Sequence, residues 1–564
     1  MRKRNLRLNF WRQWLIFLVA GLIVGLAFRP LLHNTFFPLH DYTHVARLSE
    51  MHRALVDGYL PVRWSKNLGF GYGMPLFNFY APLFYYVAEI FHLLGFDYLN
   101  SIKLVLVATF GIGFWGMYLL GKHFWGKGGG WLAAVSFIYV PYRAVDTYVR
   151  GAFGELLALS LIPLALYLTM RLVAEPGRKL VVAFSLVTAS IFLAHNLVAI
   201  MVLPFLVVLG IITCLVERRL VIRRMMMLVL ALGLAMGLAA FYLVPALGEQ
   251  GYTQIDSLTQ GYSNYKYHFL YLRQLWHSEW GYGGSIYGLE DDISFEIGKP
   301  QLLMALIGGL VVFAKTIGKK RWVLWGVGAL VAISIWLTSF KSEKVWDILP
   351  FMAYFQFPWR FLNLIVVGVS FLSGGVVWWW RRFPKKLQIL GVGGLTVVVV
   401  GFNIGYFKPS EYLADSTLLY YDDEERIQRE MSKVIPDFIP GETVDYDLVP
   451  PERRFAIKGE GESEAEVLIN RTQEFLVRVQ SGETSTFTAN IFNYPGWKMY
   501  INGVNVSNEV RKDLSVMEIP LLPNSEQLVA GKLTETPLRL LADVVSVISG
   551  VLLLSMVVYE KRVS

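Results

Sequence analysis

The chain of 564 residues is short of cysteine and of charged side chains, and each shortage excludes a class of protein. Its single cysteine, Cys214, lies in an apolar run, which excludes a disulfide scaffold, a cysteine-based zinc site and an iron–sulfur cluster. Charged residues make up 17% of the chain, against about 25% in soluble domains. The sequence also lacks a P-loop, a nucleophile elbow and a dinucleotide-binding loop, so no motif for ATP or a soluble nucleotide sugar is present.

Apolar and aromatic residues are abundant instead. Apolar residues account for 55% of the chain, the mean hydropathy is +0.45, and there are 17 Trp, 29 Tyr and 37 Phe. About 20 consecutive apolar residues cross a bilayer, and its two interfaces favour aromatic residues. The composition and the length of the apolar runs predict a mainly α, polytopic membrane protein with about twelve transmembrane helices. The predicted spans are 14–32, 102–121, 131–142, 155–173, 180–194, 197–216, 225–246, 299–314, 322–340, 361–380, 387–407 and 538–558.

The basic residues lie mainly in short segments between these spans. The net charge is +9, but residues 411–536 carry a balance of −11 and the rest of the chain carries +20. Seven short segments, among them 1–13 and 559–564, hold 24 Lys or Arg within 58 residues. Because cytoplasmic loops are enriched in Lys and Arg, this charge reports membrane orientation and not nucleic-acid binding. We predict a multi-pass protein of the cell (plasma or inner) membrane with both termini in the cytoplasm.

This topology divides the chain into a membrane domain, a soluble module and a final helix. The boundaries are 1–410 for the transmembrane domain, with external loops at 33–101 and 247–298, 411–536 for the extracytoplasmic soluble module, and 537–564 for the final transmembrane helix and cytoplasmic tail. In the second half of the module, alternating apolar residues lead into Asn502-Gly503, a dipeptide that suits a type I′ hairpin turn. The pattern predicts a small, mostly β module with a β-sandwich fold.

Residues 76–96 are apolar enough to resemble a further span. Counting them as one would reverse the orientation of every later segment and place the basic loops around Arg178 and Arg218 outside. The stretch also contains Pro82 and Glu89. We therefore predict a helix that lies at the outer interface with its apolar face toward the lipid. An ordinary span is the alternative.

The polar residues collect at the predicted outer ends of the spans, where they form one polar surface. The first group is His40-Asp41-Tyr-Thr-His44, which opens a predicted helix through Asp57. Asp41 is a candidate general base or electrostatic anchor, and the alternative is a helix N-cap. The pattern H-D-x-x-H also resembles the zinc-protease motif H-E-x-x-H, although no third ligand follows at the expected spacing. A divalent ion held by His40, Asp41 or His44 for another purpose stays an open alternative.

A second group lies in the short external loop before the fourth span and at the turn after the fifth. Glu155 follows Asp146 and Arg150 in that loop. A carboxylate at the start of a helix is favoured by the helix dipole, so Glu155 is either a plain cap or part of a functional site with its two neighbours. His195-Asn196 interrupts two apolar runs at their external turn. The pair is either a satisfied turn or a set of polar donors facing the same surface.

The third group is a single cation, Arg360, which begins the predicted span 361–380 from outside. A guanidinium at the N-terminal end of a helix is unfavourable toward the helix dipole, so we expect an anion to compensate it. Arginine binds phosphate oxygens in a bidentate manner. We predict that Arg360 binds a phosphate, with interfacial snorkelling of the side chain as the alternative.

This arrangement resembles the GT-C superfamily of membrane glycosyltransferases, which take sugar from a polyprenyl-phosphate carrier at the outer leaflet. The likeness is carried by the acidic motif His40-Asp41 in the first external loop, by the interfacial helix at 76–96 and by a basic turn from Lys122 to Lys127. It is strongest to a bacterial group of membrane proteins often named 6-pyruvoyl-tetrahydropterin synthase-related. The aminoarabinose and protein mannosyl transferases are more distantly similar.

The resemblance extends over roughly 14–410 and implies an inverting transfer outside the membrane. It implies Asp41 as the base that accepts the acceptor's proton and either Asp146 or, as we prefer, Glu155 as the second acidic residue. The residues implied to bind the substrate or its lipid phosphate are Arg360, His195, Asn196, Arg150, His40 and His44. The usual acidic pair of the superfamily is His-Asp here, so dependence on a divalent metal ion stays open.

The partners implied by the resemblance are a polyprenyl-phosphate sugar donor, the lipid bilayer, and a glycan, lipid or protein acceptor. The loop 247–298 is expected to close over the site, and the β module to present or bind glycan. Two rival functions belong to other classes: a flippase or exporter of a lipid-linked precursor, and a non-catalytic envelope scaffold. A transporter should show pseudo-symmetric halves with broken helices at the bilayer midplane, a pattern that the sequence does not show.

Overall fold

A computed structural model describes residues 16–217, 221–315, 320–434, 436–441, 448–460, 462–507, 509–511 and 514–563. Helices dominate because a helix satisfies all its backbone groups internally, as a lipid environment requires. In chain order the helices are α1 (Ile16–Leu32), α2 (His44–Val56), α3 (Leu76–Phe79), α4 (Leu83–Leu93), α5 (Tyr98–Ile138), α6 (Pro141–Val145), α7 (Phe153–Ala174), α8 (Arg178–Ala194), α9 (Asn196–Glu217), α10 (Val221–Leu238), α11 (Ala240–Gly248), α12 (Leu272–Trp276), α13 (Lys299–Lys315), α14 (Lys320–Thr338), α15 (Glu343–Ile348), α16 (Leu362–Ser373), α17 (Lys385–Asn403), α18 (Glu424–Arg429) and α19 (Pro537–Val563).

Within the described ranges, eight helices are long and apolar enough to cross a membrane. They are α5, α7, α9, α10, α14, α17, α19 and the segment Pro358–Trp380, which contains α16. Helix α5 bends at Gly126, where φ is +79°, and so covers two predicted spans, 102–121 and 131–142. The shorter helices α1, α8 and α13 coincide with the remaining predicted spans. The total of about twelve crossings stays a prediction.

Between α1 and α5 the chain forms three short helices. Helix α4 has 11 residues, which corresponds to a length of about 17 Å, against about 30 Å for the hydrocarbon core of a bilayer. A break at Tyr80 separates it from the four-residue helix α3. Residues 76–96 therefore form no single spanning helix, and their position at the interface stays a prediction. Ile90 and Leu93 leave their apolar side chains exposed, as a helix resting on lipid would.

The C-terminal module consists of two antiparallel sheets. Its strands are β1 (Phe455–Glu460), β2 (Glu464–Asn470), β3 (Glu474–Gln480), β4 (Thr484–Phe492), β5 (Trp497–Ile501), β6 (Val504–Val506), β7 (Glu509–Arg511), β8 (Val516–Pro520) and β9 (Glu526–Leu533). The sheet orders are β1-β4-β8-β7 and β2-β3-β9-β5-β6. The sheets pack face to face, with the rings of Phe455 and Phe475 4.7 Å apart. Asn502 and Gly503 have φ values of +49° and +80°, as the predicted I′ turn requires.

A largely buried ionic group, which we call the Glu249 cluster, joins this module and α19 to the membrane domain. Its members are Arg63, Asn78, Glu249, Tyr494, Glu535, Thr536, Arg539 and Asp543. Glu249 accepts hydrogen bonds from Arg539 Nε at 2.9 Å and from Tyr494 OH at 2.8 Å. Arg63 donates to Asp543 at 2.7 Å. The loop 33–101, the module and the last helix are therefore held together by ion pairs of two arginines with three carboxylates.

Candidate functional site

The predicted second acidic residue, Glu155, lies at the centre of a buried polar group. We call this group, formed by Tyr142, Asp146, Arg150, Glu155, His195, Arg360 and Asn363, the Glu155 cluster. Arg150 Nη2 donates to Glu155 at 3.0 Å, and Arg360 Nε lies 3.6 Å from the same carboxylate oxygen. Arg150 Nη1 also pairs with Asp146. Residues that are more than 200 positions apart in the chain thus share one carboxylate.

Three local structures present these side chains. A π-helical turn, Asp146–Arg150, aligns the aspartate and arginine of the loop, and such turns are frequent at functional sites. Glu155 lies in the first turn of α7, where the helix dipole favours a carboxylate. Arg360 sits in the 3₁₀ turn Pro358–Phe361 that opens into α16. These four side chains therefore lie at the ends of helices or in the turns next to them.

Asp41 lies in a neighbouring group, the Asp41 cluster, formed by Asp41, Thr43, His44, Arg47, Tyr80 and Tyr85. Arg47 Nη1 donates to Asp41 at 2.7 Å, and Thr43 Oγ1 donates to it at 2.8 Å. Burial alone would raise the pKa of Asp41, but the Arg47 guanidinium holds it well below its usual range. The Asp41 side chain keeps 27% exposure, so it is an ionised carboxylate that remains partly open.

The two clusters are joined through the backbone. Asp41 N donates to Arg150 O at 3.0 Å, and His44 Nε2 donates to Gly151 O at 2.7 Å. Gly151 has a φ of +68°, and a Cβ there would lie 2.7 Å from Asp41 O. A side chain at this position would separate the two segments. Asp41 and Arg360 are therefore connected through Arg150 and Glu155, on the same end of the helices, as predicted.

The structure corrects two of the alternatives that the sequence left open. Asp41 is not the N-cap of α2, because Thr43 occupies that position and makes no side-chain cap bond. Glu155 is not a plain cap of α7, because its carboxylate oxygens are bound by Tyr142, Arg150 and Asn363 side chains and not by backbone N–H groups. Both carboxylates are instead paired with guanidinium groups: Asp41 with Arg47 of α2, and Glu155 with the neighbouring Arg150 and the distant Arg360.

The remaining predicted residues differ in how close they lie to the clusters. His195 Nε2 is 4.0 Å from Glu155. Asn196 instead accepts from the neighbouring Leu197 N at 2.8 Å, so its described bond is local. His40 Nε2 donates to Tyr282 O at 2.9 Å, which brings the loop 247–298, predicted to be external, onto the site.

The described side chains do not fit a divalent metal ion at His40, Asp41 and His44. Both nitrogens of His44 are occupied, Nε2 by Gly151 O and Nδ1 by Tyr85 OH. Asp41 is paired with Arg47. Across the described ranges, His, Cys, Asp and Glu form no group of three or more that could hold a metal ion. Dependence on a divalent metal ion, which the sequence left open, has no support from these side chains.

Some members of these clusters are not predicted as site residues by the sequence. Asn363 donates to Glu155 at 2.6 Å from within a span, and a polar residue in an apolar run is itself a signal of function. Arg47 lies on the same helix stripe as His44, but its bond to Asp41 depends on how the loop before α2 folds. Trp359, which carries Arg150 over its ring at 4.5 Å, has no distinguishing pattern.

Several buried polar atoms of the Glu155 cluster have no hydrogen-bond partner among the described residues. They are Asp146 Oδ2, Arg360 Nε and Asn363 Oδ1. Leaving such an atom unpaired costs about 1–3 kcal/mol, so each marks a position where a further polar group would be stabilised. Of the three atoms, only Arg360 Nε is a hydrogen-bond donor, so it is the one that an anionic oxygen could bind.

Two solved structures are similar to part of this chain. The arabinofuranosyltransferase AftD from Mycobacteria is similar over 71% of this chain and 27% of its own, at 16% identity and a TM-score of 0.46. The oligosaccharyltransferase of Archaeoglobus fulgidus is similar over 70% of this chain and 55% of its own, at 12% identity and a TM-score of 0.43. Such low scores do not establish a shared fold, and the chain spans only part of both proteins.

No functionally curated protein matches the sequence. A family model described as "6-pyruvoyl-tetrahydropterin synthase related domain; membrane protein" matches residues 77–407, which is more than half of the chain. This range contains the whole Glu155 cluster and the membrane helices from α5 to α17. The chain therefore belongs to the 6-pyruvoyl-tetrahydropterin synthase related family of membrane proteins.

Proposed function

We propose that this protein is a membrane glycosyltransferase of the GT-C type, which moves a sugar from a polyprenyl-phosphate carrier to an acceptor at the outer leaflet. The observation that carries the proposal is the convergence of Arg150 and Arg360 on Glu155, next to the partly open carboxylate of Asp41. A phosphate-binding group and a carboxylate that can accept a proton are the two functions that such a transfer needs.

The two arginines act on the leaving group. As the bond between the sugar and the phosphate breaks, negative charge grows on the phosphate oxygens. Guanidinium groups held in place before the reaction stabilise that charge without reorganisation. Glu155 and Asp146 hold Arg150. Arg360 Nη1 donates to Phe355 O and to Gln356 Oε1, both at 2.8 Å, so both cations are oriented in advance.

Asp41 acts on the acceptor. Its carboxylate is ionised and partly exposed, and it accepts the proton of the acceptor hydroxyl as that oxygen attacks the anomeric carbon from the side opposite the phosphate. Attack from that side inverts the configuration of the sugar. Arg47 and Thr43 keep the carboxylate in one orientation. A positioned base contributes about 10²–10⁴ in rate.

The acceptor is a glycan, lipid or protein of the envelope, and the protein works in the cell (plasma or inner) membrane with its site outside and its termini in the cytoplasm. The support for this orientation is the basic charge of the predicted cytoplasmic segments. The contacts of the external loop and the β module with the site end of the helices agree with it.

Mass spectrometry of lipid that co-purifies with the protein, followed by transfer assays in purified membranes, tests the proposal. A bound polyprenyl phosphate and release of free polyprenyl phosphate in the assay are the expected results. Arg360→Gln should abolish both at normal expression. Adding a chelator to the same assay tests metal dependence separately.

Two outcomes would replace the proposal. Movement of a lipid-linked precursor across vesicles without cleavage would identify a flippase. A wild-type phenotype with Asp41→Asn and Arg360→Gln combined would identify a non-catalytic scaffold.

A further inference from the structure

A hydrogen-bonded relay crosses from the external loop 247–298 to the turn that carries Arg360. Trp359 Nε1 donates to Ser285 Oγ at 3.2 Å, and Ser285 Oγ is 2.5 Å from His268 Nδ1. His268 Nε2 is 2.5 Å from Tyr262 O. Because a carbonyl oxygen only accepts, Nε2 carries the proton, Nδ1 accepts, and the Ser285 hydroxyl donates to it. Every donor in the relay has one acceptor.

The relay is buried. His268, Ser285 and Trp359 expose 1%, 3% and 3% of their surfaces. Burial also lowers the pKa of His268, which favours the neutral ring that the relay requires. A buried and fully paired set of polar groups specifies one arrangement of its members, because any other arrangement leaves a group unpaired.

The relay ends on the two rings that carry the arginines. Phe357 and Trp359 stack with their centroids 4.9 Å apart, and His268 packs edge-on against Phe357 at 4.7 Å. The guanidinium of Arg150 lies 4.5 Å from the Trp359 ring, and that of Arg360 lies 5.1 Å from the Phe357 ring. Each cation of the Glu155 cluster therefore rests on one of the two stacked rings.

We propose that His268 and Ser285 are positioning residues, which fix Trp359 and Phe357 and thereby hold Arg150 and Arg360 in the geometry that binds a lipid phosphate. This inference rests on the proposed function. It assigns the external loop a role as one wall of the phosphate site, although neither residue belongs to the helices that supply the charges.

The experiment measures the binding of decaprenyl phosphate and of decaprenol to the full-length protein in nanodiscs. The two probes differ only in the phosphate, so the ratio of their affinities reports on the arginines and not on the lipid tail. The variants are His268→Phe, which keeps an aromatic ring beside Phe357, and Ser285→Ala, which removes one hydroxyl. His277→Phe, an exposed position of the same loop, is the matched control.

We expect each relay variant to weaken decaprenyl phosphate binding about tenfold, in line with a displaced cation, while decaprenol binding stays within about twofold. Ser285→Ala and Trp359→Phe should be non-additive, because each breaks the same bond. The control should bind both probes like the wild type. Ser285→Ala is small enough to keep the fold if His268→Phe does not.

The failures are distinguishable. If the wild type binds both probes equally, the proposed function falls and the positioning role falls with it. If the wild type prefers decaprenyl phosphate and Ser285→Ala keeps the full preference, the positioning role alone is wrong. Loss of binding for both probes in Ser285→Ala, at unchanged thermal stability, would also contradict it, because the relay would then act on the lipid tail.

Discussion

The Glu155 cluster and the Glu249 cluster are both groups of carboxylates and arginines around a buried glutamate, yet they differ in how completely their polar atoms are paired. Glu249 accepts from Arg539, Tyr494 and Thr536, and no buried side-chain atom of its cluster is unpaired among the described residues. In the same part of the chain, three buried atoms of the Glu155 cluster have no hydrogen-bond partner, and one of them, Arg360 Nε, keeps only its ion pair with Glu155 at 3.6 Å.

The difference agrees with a structural role for the Glu249 cluster and with the proposed functional role of the Glu155 cluster. Complete pairing offsets the cost of burying charge and fixes one arrangement, which suits the junction between the β module and the membrane domain. Unpaired atoms are costly unless something else binds them. Burial and charge alone would not have distinguished the two clusters, because Glu155 and Glu249 are both almost completely hidden from solvent.

The largest expected effect is on catalysis at the Asp41 cluster. Asp41→Asn removes the base and keeps one of the two oxygen atoms that accept from Thr43 and Arg47. We expect transfer from a polyprenyl-phosphate sugar to fall by about 10²–10⁴, with expression unchanged. Asp97→Asn, which keeps the N-cap of α5, is the control. Full activity of Asp41→Asn would remove Asp41 from its role.

The next effect is on stability at the Glu249 cluster. Glu249→Ala leaves Arg539 buried without its carboxylate and should lower the free energy of unfolding by about 3–5 kcal/mol. Thermal unfolding and protease release of the β module would measure the loss. Glu155→Gln should cost less stability, because Arg150 keeps Asp146 and the Arg360 guanidinium keeps its two neutral acceptors in residues 355 and 356. The same variant should abolish transfer. Equal losses of stability in Glu249→Ala and Glu155→Gln would contradict the claim that the Glu249 cluster is the one that stabilises the fold.

A smaller effect should appear as a pH dependence at the site end. Burial lowers the pKa of His44 to about 4 from 6.5, so the unfolded chain binds the proton more readily. Stability should therefore be complete above about 6.5 and fall as the pH drops toward 4, by about 2 kcal/mol at pH 5.

The difference between the wild type and His44→Gln isolates this contribution, because other groups titrate in both. Thermal unfolding at pH 7.5 and pH 5 measures it, with the exposed His277→Gln as the control. An identical acid-induced loss in wild type and His44→Gln would show that His44 is protonated in the folded protein.

The smallest expected effect is on ligand binding, and it should differ between an arginine of the Glu155 cluster and an arginine of the Glu249 cluster. Arg360→Lys keeps the charge but loses the planar fork, so decaprenyl phosphate should bind about tenfold more weakly at unchanged stability. Arg63→Lys should leave binding unchanged and lower the unfolding temperature, because its partners are Glu535 and Asp543. If Arg63→Lys instead weakened the binding of decaprenyl phosphate, the ligand would bind at the Glu249 cluster, and the assignment to the Glu155 cluster would be wrong.

Much of the fold was predictable because membrane helices and strands have local signals. Long apolar runs predicted the helices, and the Asn502-Gly503 dipeptide predicted the turn between β5 and β6. The interfacial interpretation of 76–96 depended on the balance of basic residues elsewhere, which is a property of the whole chain. Span number and orientation remain predictions, because the length and apolarity of a helix decide whether it can cross a bilayer and not in which direction it does so.

The sequence predicted only those residues of the candidate site whose side chains are energetically costly to place in a lipid environment. Arg360 and Glu155 stood out because an ionisable residue beside an apolar run needs a reason. Asn196 stood out because it is a polar residue between two apolar runs, but its described bond is to its own neighbour. His268 and Ser285 carried no signal, because a histidine and a serine in a polar loop are common.

The sequence by itself determined that this is a membrane protein with several apolar helices and a C-terminal β module, and it predicted that the candidate site residues gather at one end of the helices. Both properties follow from hydrophobicity and charge, which can be read from the composition of the chain and from the order of its residues. Only the tertiary structure decided which carboxylate faces which arginine. That pairing depends on contacts between segments hundreds of residues apart, and no local propensity encodes them.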